Sequence, residues 1–263
     1  MGSENYTLGR GELRFDKFAP GTRNKTGERY LGNTPELNLT TESENLEHFN
    51  SDRGIRVKDK SIVLEKTDSG TFIADEISDD NVALWFLGDV SVVAQAALTA
   101  QTQVVPANRV KPGTYIQIGE SQANPTGVRN VTVASVTDGA TPTPVSYVLN
   151  EDYTVDSELG QLYVVPGGAI DGTEAFTINY SAAASTRSQV VVGDGTTVEG
   201  ALRFVSFNPT GPRRDYLWPY VQLRADGDLA LKGDEWQQLS FAFDILKLDG
   251  YATVYIDGRP QVA

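Results

Sequence analysis

The last third of the chain alternates apolar and polar residues in the pattern of a β-sheet. The clearest run is 236–246, WQQLSFAFDIL, where large apolar residues recur at every second position. Side chains at alternate positions of a strand point to opposite faces, which predicts one face buried in a core and one facing water or another chain. The buried face is predicted to hold Leu239, Phe241, Phe243 and Ile245, and the opposite face Gln238, Ser240, Ala242 and Asp244.

A second strand is predicted just before this one, at 216–224, YLWPYVQLR. Its apolar face is predicted to consist of Leu217, Pro219, Val221 and Leu223. The pair Asp226-Gly227 that follows predicts a hairpin reversal, because Asp-Gly accepts the positive φ angles of a tight turn. The two strands are therefore expected to be neighbours in one antiparallel sheet.

The chain has one convincing helix pattern, over residues 78–87. Ser78 can cap the first turn, Asp79 suits the positive end of the helix dipole, and Gly88 follows the last apolar residue. Strands are predicted before this helix at 11–18, 36–40, 61–66 and 71–76, with a turn at 67–70 between the last two. The sequence thus predicts a mainly β protein with a single helix packed on a sheet.

Two runs of small residues, 92–103 and 182–186, interrupt the strand pattern. Between them lies a separate series of short strand-like runs divided by Gly, Pro and Asp-Gly turns. This layout predicts an inserted β-module at 104–183, within a core built from 1–103 and 184–263. The alternative is that the same strands continue the main sheets.

Residues 41–60, TESENLEHFNSDRGIRVKDK, are the least core-like part of the first half of the chain. Acids dominate up to Asp52 and bases follow from Arg53 onward, an order that would let two copies meet head to tail. Leu46 and Phe49 lie in the middle without an obvious apolar partner. The alternative is an ordinary surface hairpin with solvated charges, which the residues alone favour.

The composition narrows the range of functions. The formal net charge is −13, which disfavours a protein that clamps DNA by neutralising phosphates. Cysteine is absent and His48 is the one histidine, which excludes disulfides, thiol nucleophiles and zinc sites built from Cys or several His. No apolar run approaches the length of a membrane span, and residues 1–30 have no apolar signal segment, so neither a membrane span nor secretion is expected.

The sequence contains no recognisable catalytic or nucleotide-binding motif. The adjacent carboxylates at 151–152 and 234–235 are of the type that glycosidases use, but neighbouring strand residues point apart. Asp226 and Asp228 lack the spaced oxygen ligands of a calcium loop. We therefore expect no enzyme activity, no cofactor and no metal site.

A β-sandwich adhesive or carbohydrate-binding module is the alternative class of function. Its sugar-stacking platform would be formed by Trp218, Tyr220 or Trp236, although such residues are also ordinary in the core or interface of a half-buried sheet. The pair Arg213-Arg214 is expected to be a loop pair near Asp215 or an intersubunit contact rather than a phosphate site.

Several separated segments resemble the major tail proteins, the tail tube subunits of long flexible-tailed bacteriophages. In the last third these are Trp-Pro at 218–219, DGDLAL at 226–231, GDEW at 233–236 and the Leu/Phe strand that follows. In the first half, ADEISDDNVALWFLG at 74–88 resembles the family's helical element, and the charged run at 41–60 resembles its long loop that contacts the neighbouring ring.

This resemblance implies an antiparallel β-sandwich or partial barrel with one flanking helix, six copies of which form a ring. Stacked rings would enclose a channel for DNA, and the small polar face of the 238–244 strand would line it because such a surface does not hold phosphates. The residues implied to face the channel are Gln238, Ser240, Ala242 and Asp244. The residues implied to make ring-stacking contacts are Leu46, Glu47, His48, Phe49, Arg53 and Arg56.

The resemblance also implies the partners and the location of the protein. The main partner would be further copies of the same chain, with a tape measure protein and tail terminator or distal tail proteins at other contacts. DNA would pass through the tube without specific binding. The protein would be assembled in the host cytoplasm, reside in the virion tail and have no membrane contact.

Overall fold

The strand pattern of the sequence is realised in an open, mainly β structure. A computed structural model of the chain describes residues 6–52, 54–140, 142–193 and 197–259. Within these residues the sheets are antiparallel, one α-helix is present and no closed barrel forms, which confirms the expected fold class.

The strands and the helix are numbered in chain order. They are β1 (Gly11–Lys17), β2 (Arg29–Tyr30), β3 (Glu36–Asn50), β4 (Val57–Ala74), α1 (Asp79–Trp85), β5 (Asp89–Gln95), β6 (Leu98–Val105), β7 (Tyr115–Gln117), β8 (Val131–Thr137), β9 (Tyr153–Asp156), β10 (Gln161–Val164), β11 (Phe176–Ala182), β12 (Ser185–Val191), β13 (Val198–Ser206), β14 (Arg214–Ala225), β15 (Leu239–Ile245) and β16 (Tyr255–Gly258). A short 3-10 turn lies at Ala107–Arg109.

The chain divides into two compact units. Unit 1 consists of the described parts of 1–91 and 189–263, and unit 2 consists of those of 92–188. The module predicted at 104–183 lies within unit 2, which starts earlier because the run 92–103 forms strand structure rather than a hinge.

Unit 1 is built on one sheet with the strand order β2-β1-β13-β14-β15-β4-β3, and β16 pairs with β14 beside this path. The core lies on the face where β15 presents Leu239, Phe241 and Phe243, each at most 1% exposed. The rings of Phe72 and Phe241 stack with centroids 4.8 Å apart. The alternation of β15 therefore places its large residues in the core as the sequence predicts.

The alternation predicted for β14 is wrong in its first half. Trp218 is 2% exposed and shares the core with Val221 and Leu223, whereas Leu217 does not belong to that core. The register with β13 shifts between Gly200 and Leu202, next to Pro219. Because proline cannot donate a ladder hydrogen bond, strands accommodate it at an irregularity, and the irregularity reverses the faces.

The turn predicted at 67–70 is also wrong, since β4 is one continuous strand of eighteen residues. Gly70 lies within it for a packing reason. A Cβ atom built on Gly70 would come within 2.4 Å of the Phe243 ring and 2.6 Å of the Asn38 carbonyl oxygen. Glycine in this strand thus marks a close approach rather than a reversal.

Helix α1 begins where the sequence predicts. The Ser78 hydroxyl accepts a hydrogen bond from the Asn81 backbone N–H at 3.3 Å, which satisfies one of the free donors of the first turn. The helix ends at Trp85, two residues before the predicted end, and Leu87 has a φ of 57°. Leu84 is buried in the core, and the Trp85 indole N–H donates to the Ser240 carbonyl at 3.0 Å. These contacts fix the helix on β15.

Unit 2 contains two three-stranded sheets, β7-β10-β9 and β6-β11-β8, around one apolar core. Fully buried members of that core are Val110, Ile116, Ile118, Leu162, Val164 and Ile178. The strands β5 and β12, which lead into and out of the unit, pair with each other as a two-stranded ribbon. Gln95 supports this region because its side-chain amide donates to the carbonyls of Arg129 and Ala183.

Candidate assembly surfaces

The segment predicted to contact a neighbouring ring forms the outer part of a long β-hairpin. Strands β3 and β4 pair with each other along nearly their whole length, but β15 pairs only with residues 69–74 of β4. Residues 41–66 therefore continue beyond the sheet as a two-stranded ribbon, which we call the arm. The described residues of the predicted loop at 41–60 lie within the arm and are mostly strand, and residues 51–52 and 54–56 lie between the two strands.

The arm carries apolar side chains that its own chain leaves uncovered. Those with the largest exposure are Leu46 (57%), Ile55 (80%), Val57 (61%), Ile62 (47%), Val63 (61%) and Leu64 (58%). An isolated two-stranded hairpin is marginally stable in water, and clustered exposed apolar residues are typical of protein contact sites. The arm thus has the composition of an interface rather than that of a solvated ribbon.

The predicted contact residues on the arm have different environments. Leu46 is paired across the ribbon with Ile62, and both are exposed. Phe49 is not without a partner, contrary to the prediction, because the Arg56 guanidinium lies 5.0 Å from its ring centroid. Arg53 lies outside the described residues.

The acidic and basic halves of the segment pair within one chain. Lys58 forms an ion pair with Glu47, and His48 Nδ1 lies 2.6 Å from Asp59 Oδ1. All four side chains are substantially exposed, and such pairs contribute little to stability. The antiparallel hairpin therefore accounts for the acidic-then-basic order without a second copy, and the apolar residues are left as the stronger sign of a contact.

Asp68 joins the two strands at the root of the arm. Its carboxylate accepts hydrogen bonds from the Thr41 hydroxyl at 2.7 Å and the Lys66 ammonium at 2.9 Å. The Thr41 hydrogen bond, followed by that from Lys66, holds the pKa of the Asp68 carboxyl below its usual value. This root is therefore held most firmly when Asp68 is ionised.

The second candidate surface is the side of the unit 1 sheet that faces away from the core. Cross-strand register places one set of mainly polar side chains together there, which we call the polar face. Its members are Ser69, Thr71, Gln222, Arg224, Ser240, Ala242 and Asp244, with Ile73 opposite Ser240.

The predicted channel residues occupy this face unequally. Ser240 and Asp244 are partly exposed, Ala242 is only 6% exposed, and Gln238 is exposed but precedes the strand. Asp244 forms an ion pair with Arg224, its diagonal neighbour on β14. The charge of Asp244 is therefore neutralised locally, while the register also places Glu36 and Glu199 on the same side of the sheet.

The aromatic platform proposed for sugar binding is wrong. Trp218 is 2% exposed and Tyr220 is 6% exposed, so neither can offer a ring face to a ligand. Trp236 alone of the three is on the surface, at 94% exposure. A platform for sugar stacking needs accessible ring faces, and this constellation does not provide them.

The carboxylate and metal candidates are not assembled into sites. Asp152 is buried and accepts backbone hydrogen bonds from Val148 at 2.7 Å and Ala169 at 2.6 Å, which makes it a turn-stabilising residue. Within the described ranges no group of three or more His, Asp or Glu residues could hold a metal ion. Asp234 and Glu235 lie exposed in the loop between β14 and β15.

Two features near β14 escaped the sequence interpretation. Asp215 pairs with Arg259, whose hydrogen bond lowers the pKa of the Asp215 carboxyl, rather than with the neighbouring Arg213 or Arg214. The partners are 44 residues apart, a separation at which sequence gives no signal. The loop 226–238 is the second feature, because Asp-Gly opens a long connection there and not a tight turn.

The fold and its surfaces define a class of protein, mainly β, with an exposed hairpin arm and a polar sheet face. In the part of the chain that the structure describes, no helix is long and apolar enough to cross a membrane. Residues 6–249 match the model of the family described as "Protein of unknown function UCP028589", and the chain belongs to that family. Among curated proteins no match is found.

Proposed function

We propose that this protein is the major tail tube subunit of a long flexible-tailed bacteriophage. Its copies would form rings, six to a ring, that stack into a tube enclosing a channel for DNA. The observation that carries the proposal is the arm, a two-stranded ribbon whose apolar side chains are exposed in the single chain. Its position in the sequence coincides with the segment that resembles the ring-stacking loop of tail tube subunits.

The physical argument starts from the marginal stability of such a ribbon. The arm has no third strand beside residues 57–66 within the described chain, and its apolar residues are exposed. Burying them against a neighbouring ring would remove apolar area from water at about 25 cal/mol per Å². A repeated contact of this kind stabilises both the arm and the stack.

The polar face supports the second part of the proposal, a channel that DNA can traverse. Its one base, Arg224, is paired with Asp244, so it offers no free cation to a phosphate. Binding to DNA rises with each phosphate neutralised, and stacked rings would repeat any such contact along the whole tube. The net charge of −13 also disfavours DNA binding, because it repels phosphates at longer range.

The remaining parts of the proposal follow from the resemblance. The subunit would contact a tape measure protein and tail terminator or distal tail proteins, and would be assembled in the host cytoplasm into the virion tail. It would act without enzyme activity or a cofactor.

Negative-stain electron microscopy of the purified protein tests the proposal directly. We expect rings or tubes from the wild type, and isolated particles or single rings from the variant Leu46→Ser with Ile62→Ser. Val104→Ser is the control, since Val104 is an exposed aliphatic residue of unit 2, at 65% against 57% for Leu46 and 47% for Ile62. Wild-type protein that forms only isolated particles would contradict the proposal, and normal tubes from the arm variant would remove its principal support.

A further inference from the structure

The loop between β14 and β15 exposes two large apolar side chains. Residues 226–238, which we call the Trp236 loop, carry Trp236 at 94% exposure and Leu231 at 76%. The loop is nevertheless anchored, because Leu229 packs against the unit 1 core and the Gln237 side chain donates to the Ala230 carbonyl at 2.9 Å. An exposed tryptophan on an anchored loop loses little conformational entropy on binding, which is typical of a contact residue.

A pocket elsewhere on unit 1 has the size and lining to receive such a side chain. Its volume is about 520 Å³, and we call it the Phe18 pocket. The apolar lining consists of Phe18, Leu217, Pro219, Leu248 and Tyr251. An indole ring placed there would bury roughly 150–250 Å².

The rim of this pocket is mainly basic in a protein that is acidic as a whole. Arg23 and Lys25 line it, together with one acid, Asp249. The Arg23 guanidinium lies 4.8 Å from the Tyr220 ring centroid, a cation–π contact that holds one positive charge beside the pocket.

The Trp236 loop has the opposite charge. Four acids stand against one base, Lys232, and all five are exposed. In the residues the structure describes, neither these acids nor Arg23 and Lys25 form an ion pair within the chain. The acids of the loop are Asp226, Asp228, Asp234 and Glu235.

We propose that the Trp236 loop of one copy inserts into the Phe18 pocket of the next copy in the ring. This inference rests on the proposed function, because it assigns the contact between neighbours within a ring. The loop starts at the end of β14, and Leu217 lies eight residues earlier, about 26 Å away along the strand. Two different surfaces of one subunit form the contact, so the association is head to tail, as ring closure requires.

The test uses two complementary variants of the full chain in analytical ultracentrifugation. Trp236→Ser disables the loop, and Arg23→Glu with Lys25→Glu reverses the charge of the pocket rim. Each is expected to weaken self-association at least about 30-fold, the loss typical of an interface anchor. The pair Asp234→Lys with Glu235→Lys serves as a second loop variant that keeps Trp236 in place, and Tyr115→Ser, 69% exposed in unit 2, is the matched control.

Mixing the two disabled proteins gives the sharpest result. The pocket variant keeps an intact loop and the loop variant keeps an intact pocket, so the mixture should form heterodimers that cannot extend through this contact. Monomers in the mixture would overturn the inference. Circular dichroism of each variant shows that its fold is kept.

The outcomes separate this inference from the proposed function. Rings from the wild type together with equally stable rings from every variant would overturn the inference and leave the function standing. Loop-dependent dimers without rings would support the inference and contradict the function. Wild-type protein that stays monomeric at all concentrations would overturn both.

Discussion

The two halves of strand β4 differ in what covers them. Residues 69–74 lie between β3 and β15, and Phe72 and Ala74 are at most 1% exposed. Residues 57–66 have β3 on one side and, among the described residues, no strand on the other, and Ile62 is 47% exposed. The same continuous strand is thus core at one end and surface at the other.

This difference teaches that apolar content does not by itself decide burial. The outer half of β4 is richer in large aliphatic residues than the inner half, but in the described part of the chain no second layer covers it. Apolar residues on an uncovered ribbon gain no stabilisation from burial in the single chain, and gain it when another chain covers them. The outer half is therefore the part of the strand that we propose contacts a neighbouring copy.

The largest expected effect comes from a substitution in the covered half. Phe243 is fully buried, lies over Gly70 of β4, and has its ring centroid 6.1 Å from that of Trp218. Phe243→Ala should lower the free energy of unfolding of the isolated subunit by about 3–5 kcal/mol, because it leaves a cavity in a packed core. Leu64→Ala, in the uncovered half, should change it by about 0.5 kcal/mol or less.

Urea unfolding followed by tryptophan fluorescence measures this contrast in unit 1. The three tryptophans of the chain, Trp85, Trp218 and Trp236, all belong to that unit. If both substitutions lower the free energy of unfolding of a monomeric sample equally, the arm is already packed in the single chain. The two halves of β4 would then not differ in what covers them.

Regular elements could be predicted from sequence where a local rule decides the outcome. The alternation of β15 gave its buried residues, since a strand between two neighbours has one core face. Ser78 and the acids that follow it gave the start of α1, because the cap is a contact between residues three positions apart.

Predictions of strand continuity and of strand faces failed where a residue distant in sequence determines the local structure. Gly70 resembles a turn residue in sequence, and only the Phe243 ring above it explains why glycine is needed within a strand. Pro219 coincides with a shift in pairing that depends on β13, so the faces of β14 could not be assigned from its own residues.

The sequence could indicate which segments are exposed or polar, but not the contacts that their side chains make. Leu46 and Phe49 drew attention to the segment that the structure shows as the exposed arm, because apolar residues in a charged run are conspicuous. The contact of Arg56 with Phe49 and the ion pair of Asp244 with Arg224 depend on hairpin register and strand order, which the sequence does not reveal. The charge pairing on each surface therefore differs from the prediction, and the role of each surface in stacking or in the channel stays a prediction.

The polar face provides a second contrast with the arm. Both surfaces are exposed in the single chain, but we expect only the arm to be an interface between subunits. Asp244→Lys should leave ring assembly intact, unlike serine substitutions on the arm. It would place a second cation beside Arg224 and create a phosphate site in every subunit. DNA should then co-sediment with assembled tubes, with a log–log salt slope of about −0.9 for each phosphate neutralised, and genome ejection should slow most at low salt.

The matched control exchanges the two charges. Arg224→Asp combined with Asp244→Lys keeps a neutral pair at the same place, so tubes of the double variant should release DNA as the wild type does. If tubes of Asp244→Lys do not bind DNA at low salt, the prediction that Asp244 faces the channel is contradicted. Loss of assembly in both variants would instead mark the polar face as an interface.

The smallest expected effect concerns the boundary between the two halves of β4. Asp68→Asn keeps an acceptor for Thr41 but removes the charge that faces Lys66. The free energy of local opening of the arm should fall by about 0.5–1 kcal/mol, and the free energy of unfolding of the core should not change. In the isolated subunit we expect amide hydrogen exchange in the arm to rise about two- to five-fold. Glu42→Gln, another carboxylate of the arm, should not have this effect.

The pH dependence of that exchange identifies the cause. The folded-state pKa of Asp68 lies below its usual value, so its stabilisation is complete above the unfolded-state pKa and is lost as the pH falls through the folded-state pKa. The exchange ratio between the variant and the wild type should therefore fall to one at low pH. It should also fall to one in assembled tubes, where a neighbouring ring covers the arm. A ratio that persists in tubes would mean that the arm stays uncovered after assembly, and the contrast between the two halves of β4 would then have no role in stacking.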